Sequence, residues 1–214
     1  MKQASVRHIA HISLIDLNTV SDASLTPFLD WLNPPDLSRY ERFQKALRKR
    51  QFLVGRVLLR WSLMQLLDLP VHSIKLTERA QNAPLLQIDE VEFLPEFSLS
   101  HTGNWVACAC STTTRLGLDI EMLNARRDLP AIARHSFQDD ELQWMQRAPD
   151  LTQAFYFLWS RREARYKLTQ SFVSAVGEHC YAVPHSDLSM VLMSQEALVE
   201  EPDWSELDWH KINR

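Results

Sequence analysis

The stretch Leu116-Gly117-Leu118-Asp119-Ile120-Glu121 constrains this chain more than any other. Strand side chains alternate between faces, so Leu118 and Ile120 share one side and Asp119 and Glu121 the other. The apolar side fits a core, which leaves two carboxylates next to each other. Adjacent like charges repel, and a hard cation between them relieves that repulsion. An edge strand with one wet face would carry the same pattern without any function. The flanking segments decide between the two readings.

Upstream stands Phe97-Ser98-Leu99-Ser100-His101-Thr102-Gly103-Asn104-Trp105-Val106-Ala107-Cys108-Ala109-Cys110. It reads as strand, tight turn, strand, with Gly103 permitting the turn. Ser100 and His101 at the end of the first strand can donate to an anion, or can merely cap their own turn. No nucleophile-elbow pattern surrounds Ser100, so a hydrolase triad is disfavoured. Downstream, Pro149-Asp150 introduces a helix from about Leu151 to Gln170. Within it Glu163 and Lys167 are i, i+4 and share a face, with Trp159 one turn earlier. They are either a surface ion pair or a third acid and a cation turned toward Asp119 and Glu121.

Before these motifs, His8 to Ile15 reads as a strand and Ser21 to Trp31 as a short helix capped by Asp22 or Ser24. After a break at Asn33-Pro34-Pro35, helical spacing runs from Asp36 to Leu67. That stretch carries Arg39, Arg42, Lys45, Arg48, Lys49, Arg50, Arg56 and Arg60. Arg39, Arg42 and Lys45 or Arg50 on one face would gather phosphate oxygens, although a solvated basic face is common. Short strands follow at Ser73 to Thr77 and Leu85 to Ile88, around the loop Ala80-Gln81-Asn82-Ala83-Pro84. Ser111 to Thr114 is a polar turn and the expected junction of two parts, 1–112 and 113–214. Helices are expected over Leu129 to His135 and Gln138 to Gln146, and strands over Cys180 to Val183 and Ser189 to Met193. The tail with Trp204 and Trp209 is expected to pack back on the body.

The net charge of −4 argues against a protein that coats nucleic acid. No apolar run is long enough for a bilayer span, and Met1 to Ser5 leads into no signal-peptide core. Three cysteines without ligand spacing predict neither a disulfide framework nor a zinc site. A cytoplasmic protein with no nucleic-acid or membrane partner is the expectation. With only 4 glycines there is no Walker or dinucleotide fingerprint.

Taken in order, Phe97 to His101 with Gly103 and Trp105, Leu116 to Glu121, and Trp159-Ser-Arg-Arg-Glu-Ala-Arg-Tyr-Lys167 resemble the 4′-phosphopantetheinyl transferases. The similarity is to the monomeric surfactin-synthetase-activating type and takes in the Arg39-to-Arg60 segment. The resemblance implies an α/β (α+β) pseudo-dimer of two similar halves. Each half is a long helix on a small, mostly antiparallel sheet, with coenzyme A in the cleft between them. It implies a monomer that moves the phosphopantetheine arm of coenzyme A onto a serine of an apo acyl or peptidyl carrier protein. The pathway could be fatty acid, polyketide or nonribosomal peptide synthesis.

By the same resemblance Asp119, Glu121 and Glu163 hold Mg²⁺ or Mn²⁺, Glu163 serves as general base, and Lys167 stabilises the phosphates. Arg39, Arg42, Arg50, Pro84, Ser100, His101 and Lys167 are matched to coenzyme A, His101 and Arg39 to its 3′-phosphate. Glu141 matches a further family acid. Asn82-Ala83-Pro84 replaces the family's Gly-Lys-Pro, removing one cation for which Arg48 to Arg50 could compensate, and Arg162 replaces a lysine. Arg126, Arg127, Arg161 and Arg165 are candidates for steering an acidic carrier. The competing expectations are a non-catalytic coenzyme A- or carrier-binding module of the same fold, and a soluble α/β domain whose acids and bases are only surface.

Overall fold

The computed structural model describes residues 7–77, 84–88, 91, 93–169 and 177–212. Strand β1 (His11–Asp16) pairs antiparallel with β5 (Trp105–Ser111), and β5 with β4 (Glu96–Thr102). A second sheet runs β6 (Leu116–Met122), β8 (Leu188–Ser194), β7 (His179–Val183), all antiparallel. The hairpin β2 (Ile74–Thr77) and β3 (Leu85–Ile88) stands apart from both. The helices are α1 (Asp22–Leu25), α2 (Pro34–Arg42), α3 (Ala46–Leu67), α4 (Leu129–Ser136), α5 (Asp139–Arg147), α6 (Leu151–Thr169) and α7 (Trp209–Ile212).

Two long helices organise the two sheets. In the first half α3 lies on β5, and its Leu53, Val54, Val57 and Leu58 join Val106, Cys108 and Cys110 in one core. In the second half α6 lies on β6 and β8, with Ala164 and Leu168 against Val191 and Met193. This is the expected architecture of paired halves. Asn33 caps α2 by accepting from the Asp36 amide at 2.8 Å, so Pro34 and Pro35 open that helix at the positions where a missing N–H costs nothing.

The expected single helix from Asp36 to Leu67 is two helices. Phe43, Gln44 and Lys45 interrupt it, and the Phe43 ring packs 5.5 Å from Phe52. The periodicity runs through the break because both helices bury faces in the same core, Leu37 and Tyr40 from α2 included. Buried Asp36 ties them together through the Nε of Arg56 at 3.0 Å, with Arg60 at 3.9 Å. The cap of α1 is Ser21, whose hydroxyl accepts from Ser24 N, and neither Asp22 nor Ser24.

A segment of the second part returns to the first sheet. Strand β9 (Asp203–Glu206) pairs parallel with β1 and completes the order β4-β5-β1-β9. Trp209 follows it into the first core, 4.9 Å from Phe28 and 1% exposed. Pairing covers the otherwise open edge of β1. Of the loop Ala80 to Pro84 only Pro84 lies within the described residues; it is buried at the start of β3.

The halves meet where β4 and β6 run side by side. Ser98, Ser100 and Thr102 alternate along β4, and their hydroxyls accept from the amides of Leu118 (2.9 Å), Ile120 (3.2 Å) and Met122 (3.3 Å). β6 is the edge of its own sheet, so side chains rather than a strand satisfy its outward N–H groups. On its other side Gly117 lets α6 approach. A Cβ there would lie 2.0 Å from the Ala164 carbonyl oxygen and 2.7 Å from the Leu168 nitrogen, both backbone atoms. Gly117→Ala is expected to lower stability by about 3 kcal/mol or more, because neither atom can rotate away. A thermal melt checks this, with an expected drop of roughly 6–12 °C.

Candidate active site

The seam that joins the halves also orients the acids. Asp119 is 5% exposed, and its Oδ1 accepts from Ser100 Oγ at 3.1 Å and from Lys167 Nζ at 2.9 Å. Ser100 uses its full capacity, donating to Asp119 and accepting from Ile120 N and Lys167 Nζ (2.9 Å). Thr102 repeats the device two residues on. Its hydroxyl accepts from Met122 N and donates to Glu121 Oε2 at 3.0 Å. Lys167 gives its third N–H to the Leu118 carbonyl at 2.8 Å. All three ammonium protons therefore hold Ser100 and β6, and the lysine acts on anything further away through its charge.

Glu121 and Glu163 are drawn into the same electrostatic unit. Burial raises the Glu121 carboxyl above the usual range, and the Asp119 charge raises it further. The same two causes, in the same order, raise Glu163, while Lys167 and Arg162 pull it back. Among the described residues Asp119 Oδ2 is buried without a hydrogen-bond partner. Among the described residues no three His, Cys, Asp or Glu side chains form a ready-made metal cluster. Magnesium seldom needs one, since it commonly takes one or two carboxylates and fills its octahedron with water and phosphate oxygens. An orphaned buried carboxylate oxygen beside two acids that sense its charge fits such an ion.

Beside the acids lies a small pocket of about 100 Å³, lined by Arg39, Arg48, Gln51, Phe52, Ser100 and His101. Arg48 Nη1 donates to Gln51 Oε1 at 2.6 Å and lies against the His101 ring, 3.2 Å from Nδ1. Gln51 in turn donates to the Gly103 carbonyl at 2.8 Å, fixing the turn, where Gly103 has φ +50°. The guanidinium carbons of Arg39 and Arg56 lie 5.3 and 4.7 Å from the Phe52 ring centre. Desolvation lowers the His101 pKa from 6.5 to about 4, helped by the charges of Arg48 and Lys167. The ring is thus neutral at pH 7 in the free protein.

The structure brings together Asp119, Glu121, Glu163 and Lys167, and beside them Arg39, Ser100 and His101. It takes others elsewhere. Arg50 binds the carbonyls of Leu17 (2.9 Å) and Val20 and pairs with Asp22 at 3.1 Å, so it anchors the N-terminal segment. Arg42 closes α2 and does not line the pocket, and neither does Pro84. Glu141 belongs to the cap of α5, accepting from Gln138 N, and pairs with Arg161 at 2.5 Å. Arg165 pairs with Glu178 at 2.8 Å. Trp159 stacks on Phe155 within the helical cluster, 6.0 Å between ring centres. Of the stretch Arg48 to Arg50, which the sequence offers as compensation for the altered loop, Arg48 is the member at the pocket; Thr102 is the participant that sequence reasoning does not single out, and its signal is the Ser98-x-Ser100-x-Thr102 alternation.

Two outcomes follow from this geometry. A carbon- or nitrogen-detected NMR titration of the imidazoles is expected to show His101 with a midpoint near pH 4, moved upward in Arg48→Gln. Because the folded value lies below the unfolded one, its contribution to stability is present above pH 6.5 and is lost as the pH falls through that window toward 4. Thr102→Val is expected to lower turnover roughly tenfold, since it frees Glu121 and strands the Met122 amide. Thr102→Ser keeps the hydroxyl and should restore most of the rate in a steady-state assay.

Residues 19–113 match the family model for the N-terminal part of 4′-phosphopantetheinyl transferase, and residues 115–184 that of the 4′-phosphopantetheinyl transferase superfamily. A 4′-phosphopantetheinyl transferase of Bacillus pumilus, psf-1, is 32% identical over 170 residues, which is 76% of this chain and 70% of the relative. The 4′-phosphopantetheinyl transferase HetI of Nostoc sp. is 26% identical over 179 residues, 83% of this chain and 73% of the relative. A third, gsp of Aneurinibacillus migulanus, is 30% identical over 145 residues, 67% of this chain and 54% of the relative. The chain belongs to the 4′-phosphopantetheinyl transferase family.

Proposed function

We propose that this protein transfers the 4′-phosphopantetheine arm of coenzyme A to a serine of an apo acyl or peptidyl carrier protein. The other product is adenosine 3′,5′-bisphosphate. The observation that carries the reading is the buried Asp119, held by Ser100 and Lys167 beside Glu121 and Glu163 and next to a basic pocket. A serine hydroxyl attacking a phosphorus shielded by anionic oxygens needs charge neutralisation, alignment and a proton acceptor.

The residues divide this work. Arg39 and Arg48, with the neutral His101 ring beside them, form a cationic recess suited to the phosphate at the nucleotide end of coenzyme A. Arg48 takes over charge that the Asn82-Ala83-Pro84 loop lacks. Lys167 contributes positive charge to the pyrophosphate side while keeping Asp119 oriented. Asp119 and Glu121, with Glu163 nearby, are the residues that would hold Mg²⁺ or Mn²⁺. The ion's part, when bound, is to neutralise the pyrophosphate oxygens. Glu163 is half-buried with a raised pKa, and proton acceptance is most effective when the acceptor's pKa approaches the working pH. It accepts the serine proton directly or through water. Among the described residues no helix is long and apolar enough to cross a membrane. We further propose that the protein works as a cytoplasmic monomer.

The test is intact-mass spectrometry of an apo carrier protein incubated with this protein, coenzyme A and Mg²⁺. A mass gain of one phosphopantetheine arm is expected, absent with EDTA and reduced at least about a hundredfold in rate for Glu163→Gln. Coenzyme A binding without any transfer to fatty-acid or peptide carriers would replace this reading with a non-catalytic binding module.

A further inference from the structure

The guanidinium groups that line the basic pocket lie on two aromatic rings. Those of Arg39 and Arg56 stand over Phe52, 5.3 and 4.7 Å from its centre, and that of Arg48 stands over Phe43 at 5.6 Å. The two rings touch, with 5.5 Å between their centres. Phe43 belongs to the break between α2 and α3, and Phe52 to α3. One buried acid anchors the set. Asp36 is fully buried, and its Oδ1 accepts from Arg56 Nε at 3.0 Å. It sits in the first turn of α2, three residues before Arg39, where its own amide donates to the Asn33 side chain. Arg56 is 5% exposed although it lines the pocket. Asp36 thus fixes Arg56, Arg56 and Phe43 fix the Phe52 ring, and Phe52 carries Arg39.

Packing alone does not call for this arrangement. Leu37 and Tyr40 already join α2 to the core of α3 through apolar contact. A buried ion pair contributes little to stability that apolar residues of the same volume would not. What the acid and the rings supply is order among like charges. Desolvation lowers the pKa of Arg48 and of Arg56, and the Arg39 charge lowers both further, with Asp36 opposing this at Arg56. Long cationic side chains that repel one another would spread into solvent and gain rotamer freedom. Ring faces attract guanidinium planes and keep them gathered. A recess of gathered cations needs no reordering when a phosphate dianion enters, and that preorganisation is expressed as affinity.

We infer that Asp36, Arg56 and the rings of Phe43 and Phe52 are positioning residues: they hold Arg39 and Arg48 ready for the 3′-phosphate, so that the protein discriminates coenzyme A from its analogue lacking that phosphate. The inference takes its ligand from the transferase reading. None of the four residues handles the reacting atoms; they act through the two arginines.

The test compares two donors, coenzyme A and 3′-dephospho-coenzyme A, and two nucleotides, adenosine 3′,5′-bisphosphate and adenosine 5′-monophosphate. Steady-state transfer to an apo carrier protein gives KM and kcat for each donor, and titration calorimetry gives Kd for each nucleotide. The proteins are the wild type, Phe52→Leu, Phe52→Tyr and Asp36→Asn, with melting curves to show which are folded. Phe52 is only partly buried, so both of its variants are expected to fold. Phe52→Leu is expected to raise the coenzyme A KM and the bisphosphate Kd about tenfold, with a smaller effect on kcat, while the values for the two compounds lacking the 3′-phosphate move less than about twofold. Phe52→Tyr keeps a ring face and should restore most of the preference. Asp36→Asn, if folded, should reproduce the Phe52→Leu pattern; if it unfolds, the Phe52 pair decides. A preference for the 3′-phosphate that Phe52→Leu leaves intact overturns the inference. So does an equal loss for both donors and both nucleotides, because the ring then supports the cleft as a whole. A wild type that binds the two nucleotides equally overturns it as well. A wild type that transfers from neither donor, yet binds the bisphosphate more tightly in a way that Phe52→Leu abolishes, overturns the transferase reading and supports the positioning role.

Discussion

Everything at this site depends on three hydroxyls. Ser98, Ser100 and Thr102 sit at alternate positions of β4 and supply the acceptors that the outer edge of β6 lacks. Two of the three, Ser100 and Thr102, also donate to Asp119 and Glu121. Assembly of the two halves and orientation of the acids are thus one set of bonds. A hydroxyl suits this because it accepts and donates at once, whereas a backbone carbonyl from a paired strand would only accept. A continuous sheet across the seam would have joined the halves and left the carboxylates without donors.

The second constraint is the close approach of α6 to β6. Gly117 has no Cβ to hold the helix off, so Lys167 reaches the Leu118 carbonyl, Ser100 and Asp119 in one place. Burying Asp119 with both of its partners, Ser100 and Lys167, on one oxygen leaves the second oxygen unsatisfied among the described residues and keeps like charge pressing on Glu121 and Glu163. Taken alone that arrangement is strained, because buried carboxylates repel. It becomes favourable once positive charge is added between them. His101, kept neutral first by desolvation and then by the charges of Arg48 and Lys167, is the mirror image of this strain on the cationic side and is relieved by an anion.

Much of this was legible in the residues. The alternation of Leu116 to Glu121 determined which acids share a face. The i, i+4 spacing put Glu163 and Lys167 on one helical side, and Gly103 marked a turn that adopts positive φ. The pairing of two helix-on-sheet halves came from the resemblance, and the structure has that form. Periodicity is a short-range property, and the strand alternation, the helical spacing and the turn depend only on neighbours in the chain.

What the tertiary structure alone decided involves distance along the chain. A basic run from Arg39 to Arg60 does not say which cation meets His101. Arg48 and Arg50 stand two residues apart on α3 and so face nearly opposite sides; the packing of α3 puts Arg48 at the pocket and Arg50 at the carbonyls of Leu17 and Val20. Glu141 matches a further family acid by resemblance, and the fold adds that it caps its own helix and pairs with Arg161. The tail of the second part crosses over to complete the first sheet because β1 offered an unpaired edge. By itself the sequence determined local geometry and the identity of the acids. Only the fold decided their partners, since a hydrogen bond or ion pair between residues 20 to 190 positions apart is set by how the elements pack.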